Sequence, residues 1–160
     1  MPPTLHSRHG ASGAKRWMAC PGSIRLTEGM EDVTSVYALE GTAAHELGEM
    51  CLSGELSPDP HDRVGMRITV DVDADTTMDI EVTSEMATAV KVFVDHVNQT
   101  YERAVLADPS AEMWLERKFD LGPIKAPVPM FGTADVTIWL PNQKLLNVID
   151  YKHGQGVVVE

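Results

Sequence analysis

The sequence predicts an α/β fold built as one domain over residues 1–160. Two segments, 35–52 and 83–106, repeat apolar residues at helical spacing. Five others, 67–72, 78–82, 113–119, 131–140 and 145–152, read as strands, several of them alternating apolar and polar residues. Helices and strands are interleaved, which is the pattern of a sheet flanked by helices. With 160 residues, 43% apolar and 23% charged, the chain has enough apolar material for a real core.

Residues 1–27 read as a basic arm and a short helix. They hold Arg8, Lys15, Arg16 and Arg25 and no acid, a local charge of +4. Ser12 is expected to cap a helix through Trp17 and Met18, with Pro21-Gly22 stopping it. Trp17 is the expected core anchor by its apolar bulk. Lys15, Arg16 and Arg25 are candidates to meet phosphate, and a solvated face is the plainer explanation of such residues. Glu28–Thr34 is a polar connection.

Residues 35–112 form the helical and ribbon part. Val36, Leu39, Ala43, Leu47 and Met50 make the stripe of the first long helix, and His45 lies off it, flanked on its own side by Gly41 and Gly48. Glycine in mid-helix costs up to about 1 kcal/mol against alanine. Two of them beside one histidine suggest close approach of another backbone or a ligand. Ser53–Gly65 reads as a surface loop. Ile68, Val70 and Val72 face one way in one strand and Ile80 and Val82 in the next, a ribbon turning through Asp73-Ala74-Asp75-Thr76. Asp71, Asp73 and Asp75 lack the glycine and terminal glutamate of a calcium loop and read as solvated acids. Thr83 caps the strongest helix, whose stripe is Met86, Ala89-Val90, Phe93-Val94, Val97, Tyr101 and Val105; Asp108-Pro109 ends it.

Residues 113–156 carry the chemistry. The strand Phe131–Leu140 contains Gly132-Thr133-Ala134-Asp135, and the strand from Leu145 contains Ile149-Asp150-Tyr151-Lys152. The turn Pro141–Lys144 makes them a hairpin. Strand side chains alternate faces, so Asp150 and Lys152 share one. With Asp135 on the facing strand, two carboxylates and an ammonium converge. Carboxylate oxygens suit a hard divalent cation, such an ion activates water on a phosphodiester, and the lysine supplies a point charge to the attacking water or developing oxyanion.

Gly-Thr-Ala-Asp followed by Ile-Asp-Tyr-Lys resembles the PD-(D/E)XK nuclease superfamily, in particular its RecB-type exonuclease branch. Glu40-Gly41-Thr42-Ala43-Ala44-His45 is similar to the Gly-Thr-x-x-His helix of that branch, and Ser12 to Cys20-Pro21 to its N-terminal helix. The order and wording look most like phage-encoded relatives of the CRISPR-associated spacer-acquisition nucleases, over residues 6 to 156. The resemblance implies a restriction-endonuclease-like mixed sheet flanked by helices, with the ribbon as an addition. It implies a metal-dependent DNA nuclease acting on ends or single strands. Asp135, Asp150 and His45 would hold Mg²⁺ or Mn²⁺, with the Tyr151 carbonyl as a further ligand, Lys152 acting on water and Glu116 as an auxiliary acid. Imidazole tilts the choice toward Mn²⁺. Some relatives hold an iron–sulfur cluster, but Cys20 alone has a counterpart here, and with two cysteines no cluster is expected. The family continues with a C-terminal helix that nothing here matches, so either a fragment or a truncated relative is expected. A partner in phage recombination or host defence fits the same resemblance.

Other features bound this reading. Cys20 and Cys51 make no disulfide framework. No apolar run approaches the roughly 20 residues that span a bilayer, and no signal peptide is visible; a cytoplasmic protein, in a bacterial host or phage-encoded, is expected. The net charge of −11 argues against a general nucleic-acid coat. Two alternatives stand beside the nuclease: an inactive nuclease-fold interaction protein, and an acidic DNA mimic.

Overall fold

The structure, a computed structural model, describes residue 10 and residues 13–28, 35–54, 57–73, 75–120, 122–125 and 130–154. The basic arm with Ser12, residues 29–34 of the polar connection, residues 121 and 126–129 of the proline loop and the run 155–160 lie outside the described residues. The architecture is mixed α/β with two antiparallel sheets. In chain order the elements are α1 (Ala14–Ala19), α2 (Ser23–Leu26), α3 (Val36–Ser53), β1 (Arg67–Asp71), β2 (Thr77–Glu81), α4 (Ser84–Ala107), β3 (Glu112–Asp120), β4 (Phe131–Leu140) and β5 (Leu145–Ile149). One sheet is β1-β2 and the other β3-β4-β5. Two short 3₁₀ turns, Pro60–Arg63 and Gly122–Ile124, also lie among the described residues.

The chain divides into two compact units. The first takes the described residues of Met1–Val33 and Arg117–Ala134, and the second those of Thr34–Glu116 and Asp135–Glu160. The principal core belongs to the second. It gathers Leu39, Leu47, Val90, Val94, Val97, Val136 and Ile138, none more than 3% exposed. Helix α1 buries no residue, and Trp17, expected as a core anchor, is only half-buried; its Nε1 donates to the Gly10 carbonyl at 3.1 Å. Pro21-Gly22 does end α1, but α2 follows at once.

Helix α3 begins where Ser35 accepts a hydrogen bond from the Ala38 N–H at 3.2 Å, and it ends at Gly54, whose φ of 80° only glycine adopts without strain. Its buried face is Leu39, Ala43, Ala44, Leu47, Gly48 and Cys51. The expected stripe therefore turns slightly. Val36 stands in the first turn at 57% exposure, and small residues replace Met50 on the inner side. The reason is α4. A Cβ on Gly48 would lie 3.2 Å from the Phe93 ring, so glycine lets the two helices close. Gly41 has nothing within 4 Å of the same position and plays no such part. Thr83 caps α4 as expected, accepting from the Met86 N–H at 3.1 Å.

The β1-β2 ribbon pairs Ile68 with Ile80 and Val70 with Met78, and β1 turns Ile68 and Val70 into the core against α3. In the second sheet β4 pairs β5 from Val136↔Ile149 to Leu140↔Leu145. Asp108, at the end of α4, fixes the hairpin turn. It is 1% exposed and accepts hydrogen bonds from Ser110 Oγ (2.6 Å), the Asn142 N–H (2.8 Å) and Asn142 Nδ2 (2.8 Å). These bonds, led by that of Ser110, hold its carboxyl below the ordinary carboxylate range against the opposing effect of desolvation. Strand β5 was expected to reach Lys152 and stops at Ile149, for a reason that belongs to the site below. Among the described residues no helix is long and apolar enough to cross a membrane.

The two helix glycines should respond oppositely to substitution. Gly41→Ala fills open space and should raise stability by about 0.5–1 kcal/mol. Gly48→Val overpacks against Phe93 and should lower it by about 1–3 kcal/mol. Urea denaturation of the two variants beside the parent measures both; equal effects would contradict the packing described.

Candidate metal centre

Three elements each bring to a common point one side chain from a residue of the second unit. Helix α3 supplies His45 from the flank of its buried stripe, with the imidazole 30% exposed. Strand β4 supplies Asp135, whose side chain is 16% exposed. Strand β3 supplies Glu116 at the point where its backbone departs from strand geometry, with φ at 45°. A left-handed glutamate costs about 1–3 kcal/mol, a strain that neighbouring structure must sustain. One donor atom from each of these residues lies within 4.8 Å of the others. His45 Nδ1 and Asp135 Oδ2 are 3.3 Å apart. Adjacent ligands on an octahedral ion with bonds near 2.1 Å are separated by roughly 3 Å, so the spacing is of the right order for a shared cation.

Asp135 is held from behind. The Tyr151 N–H donates to its Oδ2 at 2.6 Å. This bond explains the early end of β5. Two residues past Ile149, the last paired residue of β5, the chain gives its N–H to the side-chain carboxylate of Asp135 rather than to a backbone carbonyl. Tyr151 also packs the site. Its ring stacks on Phe93 (4.8 Å between centroids) and meets His45 edge-on (5.2 Å), and its hydroxyl lies 2.9 Å from His153 Nδ1. Burial pushes the Tyr151 phenol up to about 12, so it stays protonated under ordinary conditions.

The three groups border a small cleft, lined also by Glu49, Leu52, Phe93, Leu115 and Val136. Its volume of about 10 Å³ is room for one water molecule or one ion. The local field is negative. Glu116 is raised above its ordinary pKa, first by desolvation and then by the charges of Asp135 and Glu49. The residue as a whole is exposed, so the shift belongs to the carboxyl end that turns toward its acidic neighbours. Glu46, on the same helix, is raised by desolvation, Glu49 and Asp71. One imidazole and two or three carboxylates that repel one another form a donor set for a divalent cation.

The structure thus brings together His45, Asp135 and Glu116, the last expected only as an auxiliary. Asp150 is not in that group. It is 53% exposed at the side chain and pairs with Lys152 Nζ at 2.6 Å, which is itself 75% exposed. The two share a side as expected, but from the irregular stretch after β5. Tyr151 contributes its N–H to Asp135. Lys15, Arg16 and Arg25 are exposed on the first unit. Glu49 had not been singled out, although it stands four residues after His45 and therefore on the same helix face. Phe93 and His153 carried no local signal, because their roles depend on where Tyr151 falls.

A family model described as "Protein of unknown function (DUF2800)" matches residues 6–160, nearly the whole chain. The chain belongs to the DUF2800 family. No solved structure matches it significantly.

The electrostatics at Glu116 give a pH test. A carboxyl whose folded pKa is raised binds its proton more tightly in the native state, so stability falls as pH climbs from the unfolded value through the folded one. Above that window the charged Glu116 is a standing cost. In metal-free buffer Glu116→Gln should melt higher than the parent at pH 7, and the gain should vanish below about pH 4.5, the ordinary carboxylate value. Melting curves from pH 3 to 8 in EDTA decide it; a lower melting temperature at pH 7 would contradict the repulsion.

Proposed function

We propose that this chain is a metal-dependent DNA nuclease of the PD-(D/E)XK type, with a restriction-endonuclease-like sheet β3-β4-β5, acting on ends or single strands in the cytoplasm. The observation that carries the reading is the convergence of His45, Glu116 and Asp135 on one cleft. The order of the motif residues supports it independently: an upstream helical histidine, an acid on the middle strand, then Asp-x-Lys at the end of the next.

His45, Asp135 and Glu116 would hold Mg²⁺ or Mn²⁺. When bound, that ion supplies a polarised water and neutralises charge on the scissile phosphate. The chain's own residues do the rest. Tyr151 fixes the Asp135 carboxylate through its N–H, Phe93 and Tyr151 pack one side of the site, and Glu49 deepens the negative field that attracts a cation. Asp150 and Lys152 stand one and three residues beyond the last paired residue of β5. Their exposed ion pair is worth about 0.2–1 kcal/mol, so substrate phosphate can displace Asp150 from the ammonium at little cost. Lys152 then presents its charge to the attacking water or the leaving oxygen.

The same ion pair favours a second reading, an inactive nuclease-fold interaction protein in which Asp150 and Lys152 satisfy one another permanently. Metal binding and cleavage separate the two. With Mn²⁺ at a hundred times its Kd the nuclease site should gain about 2.7 kcal/mol, seen as a rise in melting temperature that Asp135→Asn and His45→Ala abolish. Lys152→Ala should keep the rise and lose at least a hundredfold in cleavage of a labelled oligonucleotide. No rise in the parent would sink the nuclease reading, and a rise without cleavage by the parent would favour the second.

A further inference from the structure

The charge of this protein is divided along its two compact units. Segments 34–116 and 135–160 carry six Lys or Arg against twenty Asp or Glu, a net of −14. Segments 1–33 and 117–134 carry seven against four, a net of +3. The unit with the candidate metal centre therefore repels a polyphosphate, while the other, assembled from two distant stretches, attracts one. Lys15, Arg16 and Arg25 come from the first stretch and Arg117, Lys118 and Lys125 from the second, and all six are exposed.

This basic unit also contains an apolar cleft. Trp17, Met18, Pro21 and Ile24 line about 240 Å³ of space between α1 and the start of α2. The indole is set in place by its hydrogen bond to Gly10, Met18 is 66% exposed, and neighbouring Leu26 is 76% exposed. In the same unit Lys118 Nζ lies 4.2 Å from the centroid of the Phe131 ring. Exposed cations interleaved with aromatic and apolar side chains suit a single strand, whose phosphates take the charge and whose unstacked bases take the apolar surface. A duplex would offer no free base to such a cleft.

We infer that the described residues of 1–33 and 117–134 form the binding module for single-stranded nucleic acid, with phosphates on its exposed Lys and Arg residues and a base in the Trp17 cleft. The inference deepens the nuclease reading by naming where the strand is held, and it holds without metal. Its electrostatic basis is complementarity with a net-positive unit in an otherwise acidic chain.

The test is fluorescence anisotropy of a labelled oligothymidylate with the full-length chain in EDTA, over a series of salt concentrations. The parent should bind. The triple variant Arg16→Glu/Arg25→Glu/Lys118→Glu should lose at least tenfold in affinity, with a shallower salt slope by about 0.7 for each phosphate contact removed. Trp17→Leu, which keeps apolar bulk, should lose about tenfold through lost stacking, with circular dichroism confirming its fold. Three reversals in the acidic unit, Arg67→Glu/Arg103→Glu/Lys144→Glu, should change affinity far less. Failure of the parent to bind, or equal losses from the two triple variants, overturns the inference, as does parental affinity in Trp17→Leu. Cleavage with Mn²⁺ is read separately, so a nuclease whose strand is held elsewhere and a binder that does not cleave give different outcomes.

Discussion

The site depends on one carboxylate oxygen, Asp135 Oδ2. It takes the Tyr151 N–H at 2.6 Å and lies 3.3 Å from His45 Nδ1. Through that atom helix α3, strand β4 and the stretch after β5 are tied together. Charge-assisted hydrogen bonds to a carboxylate are among the stronger polar contacts in proteins, and this one decides where the ladder stops and which way the last described residues turn. The packing that makes it possible is itself simple. Gly48 admits Phe93, Phe93 supports the Tyr151 ring, and that ring sets the edge against which His45 lies.

The same neighbourhood carries two costs that a core element would shed. Glu116 adopts a left-handed backbone in the middle of a strand, and its carboxyl is desolvated beside Asp135 and Glu49. Strain and like-charge crowding in one place are the marks of a site arranged for something other than stability. A divalent cation relieves the second cost directly, since each carboxylate that repels its neighbour in the free protein would bind the ion instead. The His45 imidazole adds a nitrogen donor to the set without adding another carboxylate.

Much of this was legible in the sequence because it is periodic or local. The two long helices follow from apolar spacing, the α4 cap from Thr83, and the ribbon from alternation. His45 and Asp135 could be named because each sits in a motif of a few residues. What was not legible depends on tertiary placement. The end of β5 at Ile149 follows from a side-chain acceptor fifteen residues earlier than the expected Asp150, and no strand propensity reports that. Glu116 gains its place from a backbone conformation that its side chain gives no reason to adopt. Trp17 is apolar and large, which suggested a core anchor, yet α1 belongs to the unit that lacks the principal core. The charge division between the units escaped a reading by segments because the basic unit is assembled from both ends of a long interval.

The most direct test of the central claim is pulsed EPR of Mn²⁺ bound to the protein, which detects nitrogen-14 coupled to the metal. The parent is expected to bind one Mn²⁺ with the coupling of a single directly bound imidazole, and His45→Gln to lose that coupling while keeping weaker metal binding. Bound Mn²⁺ with no nitrogen coupling in the parent, or coupling that survives His45→Gln, would show that the ion is held somewhere other than the cleft of His45, Glu116 and Asp135.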